Sequence, residues 1–88
     1  MKQSEKPVRF SGHAQQRLDS RGATTQEVIQ TVRTGTWEQA ELGKLECRQD
    51  FVYNATWNQR HYATKQVRPV FVDEADEIVV VTVYVYYF

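Results

Sequence analysis

The chain has one cysteine, Cys47, so no internal disulfide can staple it. Only two histidines, His13 and His61, accompany that thiol, and the paired-ligand spacing of a structural zinc site is missing. There is no glycine-rich phosphate loop, no Ser-His-Asp arrangement and no carboxylate set with metal spacing, so nucleotide-hydrolysing, serine-type and metal-dependent chemistry lack a signal and no cofactor is expected. Long apolar runs are absent too. The longest, beginning at Ile78, is interrupted by Thr82 and by tyrosines, and nothing near the N-terminus has the order of a signal peptide. A cytoplasmic protein with no membrane partner is the expectation. Net charge is also missing: eleven basic and eleven acidic side chains cancel, which argues against a domain that grips nucleic acid by bulk electrostatics.

What is present suits one small folded unit. In 88 residues there is room for a single thin core, and a hydrophobic fraction of 41% with many Val, Tyr and Phe is too high for a disordered chain. The charge is unevenly spread. Asp73, Glu74, Asp76 and Glu77 fall in one short loop, which leaves the remainder of the chain locally basic.

Residues 1–9 are polar, contain Pro7 and show no period, so they read as a flexible leader to a single domain over 10–88. Ser11 is a suitable N-cap, Ala14 and Leu18 stand four apart, and Gly22 offers a left-handed C-terminal cap; this predicts a first helix from Gly12 to Arg21. Thr24 with Glu27 has the form of a capping box, and Val28, Ile29 and Val32 predict a second helix ending near Thr34. Leu45 to Thr56, Arg60 to Val72 and Ile78 to Phe88 are rich in strand formers, with a turn at Asn58-Gln59 and Pro69 at an unpaired position or a bulge. The fold class expected is α+β: two N-terminal helices on one face of an antiparallel sheet of three to four strands.

Alternation assigns faces. Val79, Val81, Val83 and Val85 define one side of the last strand, and Thr82, Tyr84 and Tyr86 the other. Setting Val72 opposite Ile78 places Phe71, Val67, Ala63 and Lys65 with the valines, and Tyr62, Gln66 and Arg68 with the tyrosines. The helices are expected on the valine face. The tyrosine face is too aromatic for idle surface, and a partner or a second copy of the chain is expected to cover it.

His13, Arg17 and Arg21 recur every four residues and line one side of the first helix. One group that titrates near neutral pH beside two fixed cations suits a phosphodiester. The plainer reading of the same spacing is ion pairing of the arginines with Asp19, Glu27 or the acidic loop, with His13 helping to cap the first turn. Arg60, His61, Lys65 and Arg68, interleaved with Tyr62, suit base stacking and phosphate contact, or equally a solvated strand edge. Tyr84 and Tyr86 read as packing or contact residues, although a tyrosine facing Arg68 could donate a proton.

The run from Phe10 to Gly22, with the pattern H-A-x-x-R-x-x-x-R-G from His13, and the later Lys65 to Phe71 and Val81 to Tyr84 resemble a family of small uncharacterised bacterial domains. Those domains look like relatives of the RelE, ParE and BrnT toxins, which share two helices packed on an antiparallel sheet. The resemblance implies a toxin-type domain, a metal-independent ribonuclease acting on RNA, with an antitoxin protein as partner. It nominates His13, Arg17 and Arg21 as catalytic, and Lys65, Arg68, Tyr84 and Tyr86 as substrate-binding. The alternative is a non-enzymatic binding or dimerisation module that uses the tyrosine-rich face.

Overall fold

Both helices form where their ends are marked in the sequence. In the computed structural model, which describes residues 5–88, helix α1 spans Gly12–Arg21 and helix α2 spans Thr25–Thr34. Ser11 Oγ accepts from the Ala14 N–H at 3.1 Å, and Gly22, at φ 78°, turns its N–H back to the Leu18 carbonyl. Thr24 and Glu27 exchange both bonds of a capping box. α1 buries Ala14 and Leu18, and α2 buries Val28, Thr31 and Val32.

The strands are β1 (Val8–Phe10), β2 (Glu38–Gln39), β3 (Leu45–Glu46), β4 (Gln49–Trp57), β5 (Arg60–Asp73) and β6 (Ile78–Tyr87). They make one sheet in the order β1-β6-β5-β3-β2, with β4 also pairing β5, and both helices pack on it, α1 chiefly over β6 and α2 over β5. The helices-on-sheet layout is the expected one. The sheet, however, has six strands rather than three to four, and it is mixed, because β1 runs parallel to β6. Strand β1 starts inside the segment expected as a leader, whose first four residues lie outside the described ones. Three residues carry no readable period, and their partners stand at the other end of the chain.

The acidic loop explains why the N-terminal segment docks there. Lys6 pairs with Asp73, and Arg9 donates to both carboxylate oxygens of Glu77, holding that carboxyl below its usual range. The arginines of α1 have no part in this, contrary to the ion pairing first considered for them.

The β5–β6 register corrects the one expected. Asp73 faces Ile78 and Val72 faces Val79, but beyond a bulge Val70 faces Thr82 and Arg68 faces Tyr84. Val81 is the extra residue. The bulge reverses the alternation of β6, so Ile78 and Val80 enter the core beside Phe71 while Val79 leaves the valine side, and Val83 and Val85 regain it. A chain cannot be shifted as a whole without burying Arg68, and the single extra residue resolves that conflict locally. Pro69 sits beside the bulge and is buried. Its carbonyl accepts from Cys47 N–H at 3.4 Å, so its donorless nitrogen points into the gap between β3 and β4, where no ladder bond is required. Asn58 and Gln59, both at positive φ, make the tight turn between β4 and β5.

Candidate functional site

Arg21 leaves the last turn of α1 at the open side of β6. Its guanidinium donates to the Val83 carbonyl at 2.8 Å and lies 5.2 Å from the centre of the Tyr84 ring. Arg68, opposite Tyr84 on β5, stands 4.9 Å from the same ring and 5.8 Å from that of Tyr86. Four of the nominated residues, Arg21, Tyr84, Arg68 and Tyr86, thus form one strip of alternating cations and rings. It is open to solvent: Tyr84 is 37% exposed and Tyr86 43%. Strand alternation places both tyrosines on the side away from the core, and the register sets Arg68 beside them.

Arg17 and His13 stand one and two turns before Arg21 on the same side of α1, His13 fully at the surface and Arg17 partly so. The Arg17 Nε donates to His13 Nε2 at 3.3 Å. Neither arginine of this side meets a carboxylate among the described residues.

Lys65 is placed elsewhere. It is 6% exposed, and its ammonium pairs with Glu27 at 2.9 Å and donates to the Gly22 carbonyl at 2.9 Å. Beside it the Tyr87 hydroxyl donates to the Arg21 carbonyl at 2.7 Å, and the Tyr87 ring stacks on Trp57 with Tyr53 and Tyr62 at its edges. Burial, with Tyr53 and Glu27 as smaller contributors, pushes the Tyr87 hydroxyl up to about 12. Tyr62, expected beside Arg68, belongs to this cluster instead. The aromatic box that locks α1 to the β4–β5 hairpin was not foreseen. Its signal was the odd spacing of Tyr87 within the valine alternation of β6.

Against the strip lies a groove of about 540 Å³, between the loop after β2 and the outer face of β5 and β6. Glu46, Arg68, Val70, Thr82 and Tyr84 line it, and Leu42, at φ 58°, stands at its rim. The Glu46 carboxylate lies 3.8 Å from Arg68 Nε, too far for a hydrogen bond, and that buried nitrogen has no other partner. Glu46 had no distinguishing mark in the sequence, because a two-residue strand reveals neither its neighbour nor its face. Among the described residues no three His, Cys, Asp or Glu side chains gather as metal ligands, and no helix is long and apolar enough to cross a membrane.

Fold and surface together define a small α+β domain, two helices on a mixed six-stranded sheet, that presents a cationic and aromatic strip on the face the helices leave open. The chain belongs to the family described as a domain of unknown function (DUF4258), whose model matches residues 10–85. That span includes the His13-to-Gly22 helix on which the resemblance to an uncharacterised family was read. No curated protein and no solved structure matches the chain.

Proposed function

We propose that this domain binds single-stranded RNA and cleaves it as a RelE/ParE-like, toxin-type ribonuclease that uses protein groups and no metal ion. The observation that carries the reading is the strip Arg21–Tyr84–Arg68–Tyr86 on an exposed sheet face. Unpaired bases stack on aromatic rings and on guanidinium planes, and neighbouring arginines hold the phosphates between them. Such binding relies on local geometry, which suits a chain without net charge.

His13 and Arg17 extend the strip along α1. In the reaction, His13 accepts the 2′-hydroxyl proton, the 2′ oxygen bonds to phosphorus, and the bond from phosphorus to the 5′ oxygen breaks. The departing oxygen takes a proton from solvent, and the product ends in a 2′,3′-cyclic phosphate. Arg17 and Arg21 steady the charge that builds on the phosphate. An antitoxin in this reading covers the strip.

The test is induced expression in a bacterial host of the parent and of a variant carrying His13→Ala and Arg17→Ala, with circular dichroism on both purified proteins. Both changed residues are surface-accessible, so folding is expected to survive. Growth arrest and cleavage of labelled RNA in EDTA by the parent, both lost in the folded variant, support the enzyme. Absence of arrest and of cleavage by the parent sinks it. A second reading, a non-enzymatic module that pairs through the same face, draws on the exposed Phe88 at the end of β6, which lengthens the aromatic surface; for it, sedimentation would show a dimer that Tyr86→Ala dissolves.

A further inference from the structure

We infer that the groove beside Tyr84 is a guanine pocket, in which Glu46 and Arg68 read one splayed-out base of the bound strand. The inference rests on the RNA-binding reading above and names the base that the site selects.

Glu46 and Arg68 are opposite charges held in a groove as a loose ion pair, with no hydrogen bond between them. The separation of 3.8 Å from Arg68 Nε to the carboxylate exceeds a hydrogen bond, and Nε is shut off from solvent without an acceptor. No hydrogen bond closes the pair within the chain. Left as it stands, it offers a carboxylate with unused acceptors beside a fork of unused donors.

Guanine is the base whose edges fit both at once. Its N1–H and N2–H groups are adjacent donors that one carboxylate can accept together, and its O6 and N7 are adjacent acceptors for a guanidinium fork. Adenine has a single amino donor beside an acceptor at N1, which would meet the carboxylate with repulsion. Uracil has only one N–H, and cytosine only one amino group, to offer Glu46. The groove supplies the remaining contacts: Val70 forms an apolar floor, Tyr84 a wall, and Thr82 a further hydroxyl. At about 540 Å³ it admits a base with its sugar. Leu42 at the rim is 91% exposed, apolar surface that a seated base would cover.

The experiment is fluorescence anisotropy with labelled U9, U4GU4, U4AU4 and U4IU4, in which inosine lacks the N2 amino group, on the parent and on Glu46→Gln. The G-containing strand is expected to bind about tenfold tighter than U9, a modest share of what one bidentate contact adds to base discrimination. Inosine in place of guanine, or Gln in place of Glu46, should reduce that ratio towards one. Using the ratio removes any general gain in affinity from loss of a negative charge. Equal binding of U4GU4 and U9 overturns the pocket while leaving RNA binding in place. If none of the strands binds, the RNA reading fails, and titration with guanosine monophosphate against adenosine monophosphate, followed by amide shifts around Glu46 and Arg68, decides the pocket alone. Guanine-selective shifts there sustain it, and their absence overturns it.

Discussion

Two pairs of directly opposed residues on β5 and β6 put the same chemistry, a cation beside a tyrosine, into opposite circumstances. Lys65 faces Tyr87 on the helix side, and Arg68 faces Tyr84 on the open side. In the first pair every polar group is used within the chain: Lys65 meets Glu27 and the Gly22 carbonyl, and the Tyr87 hydroxyl meets Arg21. In the second, the tyrosine is solvent-exposed and the arginine has a buried nitrogen with no hydrogen-bond partner. The difference teaches that residue type alone does not tell which groups the fold satisfies. That depends on the partners that other segments bring within reach.

The closed side should be the more fragile. Gly22→Ala is expected to cost the most, about 3 kcal/mol in urea unfolding, because φ 78° strains any other residue and an added Cβ would lie 2.6 Å from the Tyr87 hydroxyl and 2.7 Å from the Trp57 ring. A loss under about 1 kcal/mol, within what the left-handed backbone alone would cost, would mean that the aromatic box yields and is not the lock described.

Next in size comes the direct contrast of the two cations. Lys65→Ala removes the cation beside Glu27 and should cost about 2 kcal/mol, less than a fully buried pair because Glu27 keeps the Thr24 N–H and contact with water. Arg68→Ala should cost under about 1 kcal/mol, since its contacts are ring stacking and a loose ion pair. The same Arg68 variant should lose RNA affinity. Equal destabilisation by the two, measured by urea titration, would break the comparison.

A last contrast concerns pH. The Tyr87 hydroxyl titrates near 12 in the folded protein, against about 10 for a free tyrosine. Its contribution is therefore complete below pH 10 and is lost as pH rises from 10 towards 12, because the unfolded chain releases that proton first. Unfolding measured across that window should steepen in the parent relative to Tyr87→Phe. Parallel curves would contradict a closed environment for this hydroxyl.

The helices were legible almost residue for residue, since Ser11, Gly22, Thr24 and Glu27 act through bonds to groups three or four positions away. The sheet was legible only where strands are long. β1, β2 and β3 have three residues or fewer, and each is defined by a partner distant in sequence. Of the nominated site, the tyrosine face and the side of β5 that carries Arg68 followed from alternation, which sends every second side chain away from the valines. Arg21 was found by helical spacing, but its seat on Val83 and Tyr84 depends on how α1 crosses β6.

By itself the sequence determined two capped helices, a strand that alternates valine with tyrosine and, past the bulge, the side of that strand on which the helices lie, because each of these depends on neighbours within a turn or on the pleat of a single strand. Only the tertiary structure decided that Lys65 meets Glu27 as a buried strut, that Val81 bulges, and that Glu46 comes to stand beside Arg68. Those outcomes depend on contacts between segments far apart in the chain, where one extra residue or one short strand changes which side chains meet.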